Sequence, residues 1–146
     1  MVIVNELPPN FAELNAKFNL ESVKLSVYFC WGDTIYNPGG EPIHPSIIAH
    51  EQVHCDRQSQ YRAIDPGGPP GWWRRYIDDV EFRLAEEVPA HRAEFQWWLK
   101  QPGIEKPVPG FRSKKDAMLL AIATRLTSPI YGKMIRLHDA RRLIGE

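Results

Sequence analysis

Apolar residues recur along the chain in two rhythms. Phe11, Leu14 and Phe18 fall at i, i+3 and i+7, the spacing of one helix face, and Asn10 stands where an N-cap belongs. A short helix is predicted over Phe11–Phe18. Val23, Leu25, Val27 and Phe29 then alternate with Lys24, Ser26 and Tyr28, the period of two of a half-buried strand. Trp31-Gly32-Asp33 reads as a turn and Thr34–Tyr36 as a short returning strand. These pieces predict a small antiparallel sheet near the N-terminus.

Prolines and glycines cluster at Asn37–Pro45, Asp65–Gly71 and Gln101–Gly110 and mark three loops, because Pro lacks a donor and Gly permits positive φ. Between them the pattern is helical. Ser46 is placed to cap a helix from Ile47 to about Tyr61, with Ile47, Ile48 and Val53 as its packing residues. Helical stretches follow over Trp72–Ile77 and about Asp79–Lys100, the second kinked or split at Pro89. Ser113 caps the next helix, in which Ala117, Leu120, Ile122, Ala123 and Leu126 carry the apolar character. Ser128-Pro129 ends it, and a last helix covers roughly Ile130–Leu143. Helix, small sheet, then several helices is an α+β fold dominated by helix, expected as one domain over residues 1–146.

Composition narrows the functional classes. Eighteen basic residues balance eighteen acidic ones, which argues against gripping nucleic acid or an anionic membrane by bulk charge. The run Trp72-Trp73-Arg74-Arg75-Tyr76 could stack on single-stranded bases, but the zero net charge speaks against it. No apolar run approaches the roughly 20 residues of a membrane helix, and no export signal opens the chain. Two cysteines, Cys30 and Cys55, make no disulfide framework, so a reduced, cytoplasmic protein is expected. Each tryptophan pair, Trp72-Trp73 and Trp97-Trp98, is expected to send one ring into the core while the other covers a neighbour or stays partly exposed.

The decisive segment is His50-Glu51-Gln52-Val53-His54, a complete H-E-x-x-H in a predicted helix. Residues at i and i+4 share a face, so the two imidazoles project side by side, as a single Zn2+ needs. Glu51 lies about 100° round the helix and reaches a water on the metal rather than the metal. It is the candidate general base, accepting a proton from that water and passing it to the leaving amine.

A catalytic zinc needs a third protein ligand and an open position for water. Here the chain resembles the gluzincin branch of the zincin metallopeptidases, in which a glutamate on a later helix is the third ligand and an acidic residue follows one turn onward. The matching segment is Glu87-Val88-Pro89-Ala90-His91. The resemblance puts Glu87 at the ligand position and His91 where an acidic residue is usual. It is closest to small single-domain H-E-x-x-H proteins of bacteria and their viruses, on Trp72-Trp73-Arg74-Arg75-Tyr76 and Pro129-Ile130-Tyr131-Gly132, and spans roughly Thr34 to Ile144. It implies one zinc per chain, a peptide or protein substrate, and a cytoplasmic location, in the host cell if the chain is phage-encoded. Zincins similar to this chain often lay an extended substrate on a strand, here Thr34–Tyr36.

The residues themselves leave alternatives open. Helical spacing does not separate Glu87 from Glu86, since each has apolar neighbours a turn away, and Glu81 and Glu94 are further carboxylates on the same stretch. Tyr131 is either a donor to the oxyanion of a tetrahedral intermediate or a core tyrosine beside a turn. Arg125 and Arg136 are expected on a solvated face, with substrate-carboxylate binding as the other reading. His44 and His138 are expected at the surface, Cys55 in the core, and Gln58 as polar lining of the site. The rival to a zinc peptidase is an inactive zincin fold that serves as a structural or partner-binding protein, such as a viral assembly component. Four protein ligands closing the metal site would favour that rival.

Overall fold

A computed structural model describes residues 1–62 and 65–146. The architecture is α+β, as the pattern predicts. Strand β1 (Val2–Val4) and helix α1 (Phe11–Phe18) are followed by the hairpin β2 (Phe29–Trp31) and β3 (Thr34–Tyr36). Helices α2 (Pro45–Gln60), α3 (Gly68–Asp78), α4 (Val80–Leu99), α5 (Lys114–Leu126) and α6 (Leu137–Gly145) complete it. No helix among the described residues is long and apolar enough to cross a membrane.

The hairpin is antiparallel, with Cys30 opposite Ile35, and β1 adds to it in parallel, giving the order β1-β3-β2. Thr34–Tyr36 is therefore the central strand. It has no free edge, which corrects the expectation that a substrate adds there. The alternation over Val23–Phe29 also overstates the strand. Lys24–Ser26 turn as a short 3-10 helix with Leu25 exposed, and pairing begins only at Phe29.

Helix boundaries follow cap chemistry. Ser113 Oγ accepts the Asp116 N–H at 3.1 Å, as expected. Asn10 precedes α1 but caps nothing with its side chain, because its backbone is not extended. α2 opens one residue before Ser46 is reached: Pro45 takes the first turn, and His44 Nδ1 accepts the Ser46 N–H at 3.3 Å. α3 likewise begins inside the expected loop, since Pro69 and Pro70 fit a first turn whose N–H groups have no partner anyway. α4 passes Pro89 unbroken, neither split nor ended there. The last expected helix is instead a 3-10 turn, Pro129–Tyr131, then an irregular stretch before α6.

The core has two larger apolar clusters, each reaching α4. Leu14, Phe18, Leu20, Phe29, Trp72, Trp73 and Tyr76 pack α1, β2 and α3 together, and Phe95, Ile122, Ala123, Leu126, Ala140 and Ile144 join α4, α5 and α6. Both Trp72 and Trp73 are buried, because α3 lies between two partners: Trp72 donates to Glu86 on α4, and Trp73 donates to the Cys30 carbonyl on β2. Trp97 and Trp98 are half-buried and pack against the exposed His44 ring. Cys30 and Cys55 are joined by a disulfide with Cα atoms 5.9 Å apart, which corrects the expectation of reduced thiols. The docking of β2 on α2 that brings them together is tertiary, and two isolated cysteines do not announce it.

Candidate functional site

Helix α2 is packed inside out. Its buried residues are Ser46, His50, Glu51, His54, Cys55 and Gln58, while Ile47, Ile48 and Val53, expected to pack, are only half-buried. α4 answers with Glu86, Glu87, His91 and Glu94, all buried, while its buried Arg83 donates to the Tyr76, Ile77 and Tyr131 carbonyls. The interface between the two helices is thus lined with ionisable groups where a core would hold leucines. Burying a charge is costly unless it is paired, so each group's partner decides what the interface is for.

Two of the three buried carboxylates of α4 have arginines. Glu86 accepts a two-pronged bond from Arg57, at 2.6 and 2.7 Å, plus the Trp72 indole N–H at 2.8 Å. Glu94 is paired with Arg125 of α5. Glu87 has no such cation. Its ion-pair neighbours among the described residues are imidazoles: His50 Nε2 at 3.7 Å, His54 Nε2 at 3.5 Å and His91 Nδ1 at 3.4 Å. The Tyr76 hydroxyl donates to Glu87 Oε1 at 2.5 Å, and Oε2 is left without a hydrogen bond. The structure thus separates the two glutamates that spacing left equivalent: Glu87 faces the histidines and Glu86 faces Arg57. Glu81 is exposed at the start of α4.

His50, Glu87 and His91 form a buried group whose ligand atoms all lie within 4.8 Å of one another, and such a group could hold a metal ion. His54 stands beside it, its ring 5.0 Å from that of His50. His91 was expected only to occupy an acidic residue's place. Its appearance in the group follows from its position one turn after Glu87, where its Nδ1–H donates to the Glu87 carbonyl at 2.8 Å and its Nε2 has no partner. His50 Nδ1 and His54 Nδ1 are also buried without partners. Two or three neutral imidazoles with one carboxylate are a donor set suited to Zn2+.

Electrostatics keep these groups ready for a cation. Burial, with His54 nearby, holds His50 at about 3, and burial with His50 nearby holds His91 at about 3, so both rings are neutral with free lone pairs. Burial opposes charge on Glu87 and His54 as well. There the two partners prevail, lowering the Glu87 carboxyl and raising the His54 imidazole. Glu51 differs: burial pushes its carboxyl up to about 7.

Two cavities, of about 50 and 120 Å³, meet at His50, Glu51 and Tyr131. The smaller is walled by the apolar cluster around Phe18, Phe29 and Trp73, and the larger by Ser26, Ile47 and Arg125. Val27, with extended backbone, and Tyr28, the residues before β2, border both. Tyr131 sits edge-on to His91 at 5.3 Å, and burial keeps its hydroxyl protonated. Arg125, expected on a solvated face, is instead drawn in by Glu94, while Arg136, His44 and His138 are exposed. Gln58 does not line the site. It is fully buried, accepting the Gly32 N–H and donating to the Cys30 carbonyl, both at 2.9 Å. No known protein family, curated protein or solved structure matches the chain.

Proposed function

We propose that the chain is a zinc-dependent peptidase whose metal is held by His50, His54 and Glu87, with Glu51 as general base. The observation that carries this reading is the buried carboxylate of Glu87, set among three imidazoles with an unpartnered oxygen, beside a base on a cavity wall. A divalent cation at that point would partner the orphaned Glu87 oxygen and offset the cost of burying its charge.

A bound zinc would polarise the scissile carbonyl and lower the pKa of a water. With zinc bound, Glu51, pushed up to about 7, would accept the proton of the water that adds to the carbonyl carbon and would return it to the amine as the C–N bond breaks. Tyr131, protonated and on the same cavity wall, donates to the developing oxyanion. The segment Val27-Tyr28, extended at Val27, is the backbone beside which a peptide lies, the role expected of Thr34–Tyr36.

One observation favours a second reading. His91 belongs to the metal-ready group with His50 and Glu87, and if His54, whose ring lies 5.0 Å from that of His50, joins them, four protein ligands close the site. The ion is then structural and the chain is an inactive, partner-binding protein. Metal content and peptide cleavage, measured on wild type, His50→Ala, Glu87→Ala and Glu51→Gln, separate the readings. The peptidase binds about one zinc per chain, loses it in the first two variants, and in Glu51→Gln keeps it while cleavage falls by about 10²–10⁴. Zinc without cleavage in wild type supports the structural reading, and a wild type that takes up no zinc ends both.

A further inference from the structure

A histidine that binds a metal through Nε2 carries its proton on Nδ1, and an acceptor for that proton fixes the ring and raises its basicity. The resemblance places an acidic residue for this role at position 91, where this chain has histidine. The carboxylate that approaches His50 Nδ1 comes from one turn further along α4: Glu94 Oε2 lies 3.6 Å away. Residues 87, 91 and 94 are on one face of that helix, since steps of four and three residues each return to it.

Three features make Glu94 suited to the task. It is buried, so water does not compete for its oxygens. Arg125, reaching across from α5, pairs with it and holds it in place. His50 Nδ1 is buried and has no other hydrogen-bond partner. At 3.6 Å the contact is longer than a finished hydrogen bond, and a shift of about half an ångström closes it.

We propose that Glu94, fixed by Arg125, is the positioning carboxylate of the site: it accepts the Nδ1–H of His50 and so keeps the Nε2 lone pair aimed at the metal. The inference rests on the proposed metal site and adds a residue that touches neither metal nor substrate. It gives the Arg125–Glu94 pair a purpose beyond joining α4 to α5. It also explains how position 91 can be a histidine: the acceptor has moved one turn on.

The test has a metal-free and a metal-bound arm. Long-range 1H–15N spectra of the histidine rings in chelator-treated protein report which nitrogen of His50 carries the proton. Competition with a zinc-binding dye reports affinity. Wild type is expected to hold His50 with its proton on Nδ1. Glu94→Ala is expected to mix the two tautomers and weaken zinc binding about 10- to 100-fold, and Glu94→Gln, which keeps volume and an acceptor oxygen, to fall between. Glu94→Gln also carries the test if the smaller side chain unfolds the protein. Zinc binding by Glu94→Ala and Glu94→Gln as tight as wild type, with the His50 tautomer unchanged, overturns this inference while leaving the metal site standing. So does a His91→Ala variant that shifts the His50 tautomer while Glu94→Ala does not. A wild type that binds no zinc overturns both readings.

Discussion

Two adjacent glutamates with the same side chain play opposite parts because of what each faces. Glu86 is neutralised by Arg57 and by the Trp72 indole, so it joins α2, α3 and α4. Glu86→Gln is therefore expected to destabilise the fold by about 1–3 kcal/mol, nearer the lower end because Arg57 is partly exposed and can turn to water. Its zinc content should stay at wild-type level. Glu87→Gln is expected to differ from it in the metal: it abolishes zinc uptake, and the metal-free fold also loses the carboxylate that His54 and the Tyr76 hydroxyl face. Urea melts and metal analysis of the two variants decide this, and the reverse pattern would give the ligand role to Glu86. Tyr131→Phe keeps the ring on His91 but loses the hydroxyl. It should lower kcat by about 10²–10³ with zinc affinity unchanged, whereas a tyrosine that only packs would leave kcat alone. His50, Glu51 and His54 were legible because H-E-x-x-H is a local pattern whose geometry a helix dictates. Glu94 and Arg125 were not assigned their pairing, since it depends on how α5 lies across α4.

At the scale of elements, the hairpin and α2 are held in register by one side chain. Gln58 satisfies a backbone donor at Gly32 and a backbone acceptor at Cys30, inside the core and beside the Cys30–Cys55 disulfide. Gln58→Ala leaves both groups without that partner and opens a cavity, with an expected loss of about 2–4 kcal/mol by chemical denaturation. A loss below 1 kcal/mol would mean that the disulfide and Trp73 suffice to hold the hairpin. The helical elements were readable because periodicity, caps and Pro/Gly punctuation are local: α1, α4 and α5 stand close to their expected limits. The misreadings share one cause. Ile47, Ile48 and Val53 looked like the packing face of α2, but α2 turns its polar face inward against the buried polar residues of α4. β1 escaped notice because three residues with exposed Val2 and Ile3 gain a strand only from the β3 backbone beside them.

For the molecule as a whole, the buried histidines and glutamates make stability a function of pH and metal. The sign follows from which state binds more protons. Between pH 4.5 and 6.5 the unfolded chain protonates His50 and His91, whose folded values are held at about 3, while the folded chain protonates Glu51, held at about 7. Two protons against one leave the unfolded state ahead by about one proton, so stability falls as pH drops through this window, by up to about 1.4 kcal/mol per pH unit. Glu87, lowered, extends the loss below pH 4.5. Above 6.5 the signs reverse: Glu51 and His54, both raised, contribute stability that is lost as pH climbs through their folded values. The metal-free protein should therefore be most stable near pH 6.5, with a lower urea midpoint at pH 5. Its counterpart His91→Gln removes one of the two opposing histidines and sets His50 alone against Glu51. Its midpoint should be nearly level between pH 5 and 6.5, and a slope as steep as wild type's would show that His91 is protonated in the folded chain. Zinc adds to this through mass action: at a free concentration about one hundred times its Kd it contributes about 2.7 kcal/mol. At a fixed zinc concentration that gain should shrink toward pH 5, where protons compete with zinc for His54 in the folded chain.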